Sequence, residues 1–190
     1  MTETEHSISC QFTCGPYAHE DEAAADFDIR VGAMQSFVTQ KELRGEYIQG
    51  FVGQERADDE ESDKRPRMDR MLIPNGRLLN AGWTLGPIGV ELKASNVKLG
   101  RVIAQLLDYR RALFPSRHGS WISPLWWFVF PCDTVYGDIA SIMAQNRIGF
   151  CCPSGSGLSF GTGGQWLIRG GDSEALYAKS PCIGRKRGSR

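Results

Sequence analysis

The stretch "GVELKASNVKLGRVIAQLLDYRRALF", Gly89 to Phe114, sets two charges two residues apart inside an apolar run, then continues into a segment of helical spacing. Side chains two apart in a strand share a face. Glu91 and Lys93 therefore project together, while Val90 and Leu92 face the other way. In the segment that follows, Leu99, Val102, Ile103, Leu106 and Leu113 form a buried stripe, and Lys98, Arg101, Gln105 and Asp108 form a polar one. Ser95 or Asn96 is the expected cap of this helix, which is expected to run to about Phe114.

The rest of the chain is organised around this unit. A helix is expected from about Ala23 to Tyr47, with Val31, Met34 and Val38 at helical spacing. The run Gly53 to Arg67 is almost all charge and reads as an exposed loop. "RMDRMLIP" is a strand ending at Pro74, Asn75-Gly76 a tight-turn signal, and "RLLNAGW" the returning strand of that hairpin. "GPIGVELK" is a third strand, and "PSRHGS" breaks the helix after it. "LWWFVFP" is a central strand and "YGDIASIMAQN" a further helix. "GFCCPSG" and "LSFGTGGQWLIR" are late strands joined by glycine-rich turns. The order predicts an α/β fold around a mixed sheet flanked by helices. The expected organisation is an N-terminal arm (1–22), one domain (23–180) and a basic tail (181–190) containing Arg185, Lys186, Arg187 and Arg190.

The 190 residues suit one compact domain. Formal net charge is zero, but its distribution is not even. Residues 1–63 hold fifteen acidic and four basic residues; residues 64–117 hold three acidic and eleven basic; residues 118–190 hold four acidic and seven basic. The opening stretch lies in the basic block, whose local field attracts phosphate. Met1 is followed by polar and acidic residues, so no signal peptide is expected, and "WISPLWWFVFP" is far shorter than the about 20 residues a bilayer needs. The expectation is an intracellular, cytoplasmic protein with no membrane partner and with its six cysteines reduced. Cys10, Cys14 and His19 lack the second matched pair that a structural zinc site wants. The glycine-rich run from Pro153 lacks the Gly-Lys-Ser/Thr ending of a phosphate loop. Trp121, Trp126 and Trp127 are expected in the core, and His118 on the surface.

Asp69 lies in a strand that can neighbour Glu91 and Lys93 in one sheet. Two carboxylates at close range repel and want a cation between them, and a hard divalent ion with oxygen ligands and waters meets that need. A lysine beside it can orient or deprotonate an attacking water, or stabilise charge on a phosphate.

Asp69, then Glu91-Leu92-Lys93, then a helix carrying Gln105 resembles the PD-(D/E)XK nuclease superfamily, over about residues 23 to 130. "ELKAS" before a helix with "AQLLDY" is most similar to the branch containing Holliday-junction resolvases and restriction-type nucleases. The resemblance implies a restriction-endonuclease-like mixed sheet flanked by helices and a Mg²⁺- or Mn²⁺-dependent endonuclease acting on DNA. Asp69 and Glu91 would bind the metal, Lys93 would assist the water, and Gln105 would support the site or touch DNA. An acid on the first helix completes the pattern; Glu42 and Glu46 are the candidates, with Glu42 preferred because it continues the Val31–Met34–Val38 stripe. Lys98, Arg101, Arg70 and Arg67 are the expected contacts to nucleic acid, and family members that cut two strands act as homodimers. The proline that often precedes the Asp is replaced by Arg67-Met68. The alternative is a nuclease-fold protein without chemistry that binds DNA or a protein partner.

Overall fold

The computed structural model describes residues 17–48, 65–95, 97–132, 137–162 and 165–168. Ten strands and four helices occur among them. They are α1 (Glu20–Met34), β1 (Phe37–Arg44), β2 (Glu46–Tyr47), β3 (Arg67–Pro74), α2 (Gly76–Asn80), β4 (Ile88–Leu92), α3 (Leu99–Tyr109), β5 (Ala112–Pro115), β6 (Trp121–Ile122), β7 (Trp126–Phe130), α4 (Gly137–Gln145), β8 (Ile148–Ser154), β9 (Gly157–Thr162) and β10 (Gln165–Ile168). Seven strands form one mixed sheet in the order β1-β3-β4-β7-β8-β9-β10, and β2-β5-β6 form a small second sheet. The pairs β4/β7 and β7/β8 are parallel and the others antiparallel. The expected α/β class with a mixed sheet is what the chain adopts.

Each face of the large sheet carries its own apolar core. On one face α1 buries Ala23, Phe27, Val31 and Met34, spaced four, four and three apart, against Leu72, Val90, Leu92, Phe128 and Phe130. On the other, α3 buries Leu99, Val102, Leu106 and Tyr109 against Met68, Met71, Trp127 and Val129. Each large apolar side chain so buried contributes about 1.5–3 kcal/mol. Helices on both faces leave the central strands no solvent side, which is why β7 reads as a continuous apolar run and β4 as one interrupted only by Glu91. Gly89 makes the second core possible: a β-carbon there would sit 2.5 Å from the Trp127 ring.

Several boundaries differ from expectation. The first helix stops at Met34 rather than Tyr47. Gln35 takes a left-handed conformation (φ 51°) and closes the helix with its N–H on the Gly32 carbonyl, and residues 37–44 become the edge strand β1. Asn75-Gly76 does not make a hairpin: the Asn75 side chain accepts the Leu78 N–H and caps α2, so "RLLNAGW" begins as helix. The α3 helix ends at Tyr109, and Leu113 and Phe114 belong to β5. Its cap position is Lys98, with no side-chain cap, rather than Ser95 or Asn96. Trp127 is fully buried and Trp126 partly, but Trp121 is 47% exposed. Trp83 is buried and donates its indole N–H to the Gly86 carbonyl. His118 is exposed, as expected. Most of the arm, the heart of the charged loop, Cys10, Cys14 and the basic tail lie outside the described residues. No helix among the described residues is long and apolar enough to cross a membrane.

Candidate active site

The β3 and β4 strands pair antiparallel through Leu72↔Ile88, Met71↔Gly89 and Arg70↔Val90. At the next position a side chain takes over from the backbone: Asp69 Oδ2 accepts the Leu92 N–H at 2.8 Å. The substitution fastens the carboxylate beside the end of β4. On its other side β4 stays paired with β7 through Leu92↔Phe130, and the Lys93 N–H donates to the Phe130 carbonyl at 2.8 Å. Lys93 thus stands one residue past the strand, anchored by its backbone.

The Glu91 side chain is 1% exposed. Lys93 Nζ lies 2.7 Å from Glu91 Oε1 and 3.2 Å from Glu20 Oε1. Gln105, in the second turn of α3, donates from Nε2 to the same Glu91 oxygen at 2.6 Å, and its Nε2 stands 2.5 Å from the Tyr109 hydroxyl, one turn on. Glu91 Oε2 is buried with no hydrogen-bond partner. A buried carboxylate oxygen left in that state is costly unless a proton or a cation meets it.

The electrostatics reflect this surplus of acid. Burial, reinforced by the Asp69 charge, pushes the Glu91 carboxyl up to about 8 against the opposing pull of Lys93. Burial also raises Asp69, although the Leu92 N–H and the Lys93 charge oppose it. Burial works to lower Lys93, but Glu91, Asp69 and Glu20 together outweigh it and hold the ammonium above its ordinary value. Tyr109 is driven to about 12, by burial first and then by Glu91, so it stays a neutral phenol.

Four expected site residues therefore come together: Asp69, Glu91, Lys93 and Gln105. Glu42 does not join them. It lies on β1 rather than on a helix, in a left-handed conformation (φ 51°), exposed and 2.9 Å from Arg67. Glu46 is exposed on β2. The acid that α1 sends to the site is Glu20, in its first turn, at the opposite end of the helix from the expected position. Arg70 is also misplaced as a nucleic-acid contact: it is 6% exposed and grips Asp28 of α1 from Nε (2.8 Å) and from Nη2 (3.0 Å). Lys98, Arg101 and Arg67 are exposed. Lys98 and Arg101 follow the end of β4 that carries Lys93. Tyr109 was missed, though its spacing four residues after Gln105 put both on one helix face.

Among the described residues no group of three or more His, Cys, Asp or Glu side chains forms a metal cage. Mg²⁺ does not require one, since it is commonly held by one or two carboxylates, waters and substrate phosphates. Asp69 and Glu91, with the orphaned Oε2, are a donor set of that kind. Searches against family models, curated proteins and solved structures returned no match to this chain.

Proposed function

We propose that the chain is a metal-dependent nuclease that hydrolyses DNA phosphodiester bonds, with a PD-(D/E)XK-like site. The observation that carries this reading is a buried glutamate with an unmet oxygen, set among two further acids and a single lysine at the fork of two strands. The order of α1, β1, β3, β4, α3 and β7, with β2, α2, β5 and β6 inserted between them, supports it by its likeness to a restriction-endonuclease-like core.

Asp69 and Glu91 would hold Mg²⁺ or Mn²⁺, which when bound polarises a phosphoryl oxygen and acidifies a water. Gln105 fixes the rotamer of Glu91, and Tyr109 stands beside Gln105. Lys93 orients the attacking water and offsets charge as it builds on the phosphate. Water adds to phosphorus in line, and the bond to the departing sugar oxygen breaks, leaving a phosphomonoester and a hydroxyl. Exposed Lys98, Arg101 and Arg67 meet the backbone of the nucleic acid by charge. Supercoiled plasmid with Mg²⁺ or Mn²⁺ tests the reading, with Lys93→Ala beside the parent. Nicking is expected only with the parent; nicking that persists unchanged in the variant overturns it.

A second reading is favoured by one detail: Lys93 Nζ already bridges Glu91 and Glu20. A site closed by its own lysine suits a nuclease-fold protein that binds DNA or a protein without cutting. Calorimetric titration separates the two, because only the nuclease requires Mg²⁺ to bind at Asp69 and Glu91.

A further inference from the structure

Cys132, two residues past the end of β7, and Cys151 and Cys152, within the neighbouring strand β8, are thiols. The Trp127 N–H donates to the Arg147 carbonyl, and Trp127 stands opposite Ile148. In this parallel ladder each N–H therefore reaches the residue that precedes its opposite number. The paired register closes at Val129↔Phe150; Pro131 has no N–H to give, and the Cys132 N–H donates instead to the Cys151 carbonyl at 2.8 Å, so the chain slips by one residue there and Cys132 takes the place opposite Cys152.

The two also share a face. Cys132 packs in the core on the α3 side, as does Phe150, and strand alternation places Cys152 with Phe150. Cys151 points into the other core, against α1. Neighbouring strands lie about 4.7–4.9 Å apart, inside the Cα separation of about 4.4–6.8 Å that a disulfide accepts. Cys132 is 3% exposed and Cys152 7%, both at the margin of the core, while Cys151 is fully buried. Burial raises the Cys151 thiol well above its ordinary range, which keeps it protonated and inert.

We propose that Cys132 and Cys152 form a reversible disulfide that ties β7 to β8, with a peroxide as the oxidant. Hydrogen peroxide transfers one oxygen to the Cys152 sulfur, giving a sulfenic acid and water. The Cys132 sulfur then attacks it; the S–S bond forms, the S–O bond breaks, and hydroxide leaves with the Cys132 proton as a second water. Two thiols and one peroxide thus become one disulfide and two waters. The bridge would pin the segment two residues beyond Phe130, whose carbonyl holds the Lys93 backbone. Its formation does not depend on which reaction the Glu91 site performs.

The test treats the reduced full chain with hydrogen peroxide, alkylates the remaining thiols after unfolding, and maps the peptides by mass. The expected product is a single cross-linked pair containing Cys132 and Cys152, lighter by two hydrogens and restored by dithiothreitol, with Cys151 alkylated. Cys152→Ser, verified to keep the parent's cooperative melt, is expected to leave Cys132 alkylatable; Cys132→Ser serves as the reciprocal variant. The proposal is overturned if both thiols stay alkylatable, if either stops at a sulfinic acid, or if the native chain bridges through Cys151, Cys10 or Cys14.

Discussion

Two charged clusters hang from the same strand, on adjacent residues and opposite faces of one sheet. Arg70 faces α1 and meets Asp28, which also takes Lys41 Nζ at 2.6 Å. Here cations outnumber acids. Although burial works against it, the Asp28 carboxyl is held below its ordinary value by Arg70 and Lys41. Asp69 meets a cluster with the opposite ratio: Asp69, Glu91 and Glu20 share Lys93, both buried carboxyls are raised, and one oxygen has no partner. In the first cluster each charge meets an opposite one, so it is balanced in its contacts and fastens helix to sheet. In the second, acids outnumber the one cation and Glu91 Oε2 has no hydrogen-bond partner, and carboxyls perturbed in this way cluster at functional sites.

The largest effect should come from the unbalanced cluster. Asp69→Asn and Lys93→Ala are each expected to lower metal-dependent plasmid nicking by about 10²–10³-fold or more, since under the proposed reading the first removes a group that would hold the metal and the second the group that would assist the water. Melting temperatures close to the parent's would show that the loss is chemical. The balanced cluster should show the reverse. Asp28→Asn strands the Arg70 guanidinium and is expected to cost on the order of 3 kcal/mol in urea unfolding. The folded variant should keep most of its nicking rate. If Asp28→Asn abolished activity without loss of stability, the contrast between the clusters would collapse.

A smaller effect concerns pH. Folded Glu91 keeps its proton up to about 8, whereas unfolded Glu91 releases it near the ordinary carboxylate value. Between these limits the folded state binds more protons, so without a divalent ion stability falls as pH rises from about 5 to 8, by at most about 1.4 kcal/mol per pH unit. Asp69, also raised, adds in the same direction. Urea melts across this range should slope downward, should flatten in Glu91→Gln, and should recover with Mg²⁺ most strongly at the alkaline end. A flat profile for the parent would remove the evidence of frustration. The smallest effect belongs to Glu42→Ala, which breaks one exposed pair with Arg67 and is expected to change stability by less than about 1 kcal/mol. Its nicking rate should match the parent's, whereas Glu20→Ala should lower that rate measurably.

The legible and illegible parts of the sequence divide along physical lines. Glu91 and Lys93 could be placed because strand alternation has a period of two and their neighbours Val90 and Leu92 are unmistakably apolar. Asp69 could be placed because "RMDRMLIP" is short, bounded and β-like. Glu42 was misplaced because β1 is a half-exposed edge strand whose alternation is weak, so helical spacing from Val31 seemed to run on through it. The stop is a single left-handed residue, Gln35, with neither glycine nor proline to announce it. Asn75-Gly76 misled for a related reason: asparagine serves as turn former and as helix cap, and here its side chain accepts the N–H of Leu78, which is buried. The partnership of Arg70 with Asp28 spans 42 residues of sequence and has no local signature.

Adjacent assignment on one strand also makes β3 a built-in check on assembly. Sliding β3 by one residue against its neighbours would turn Arg70 toward the acid cluster and Asp69 toward Asp28, because a one-step slip exchanges the two faces. The grouping of Asp69 with Glu91 and Lys93 and the ion pair of Arg70 with Asp28 beneath α1 would then be lost together. A slip in register would thus disturb the acid cluster and strand a buried charge in the same step.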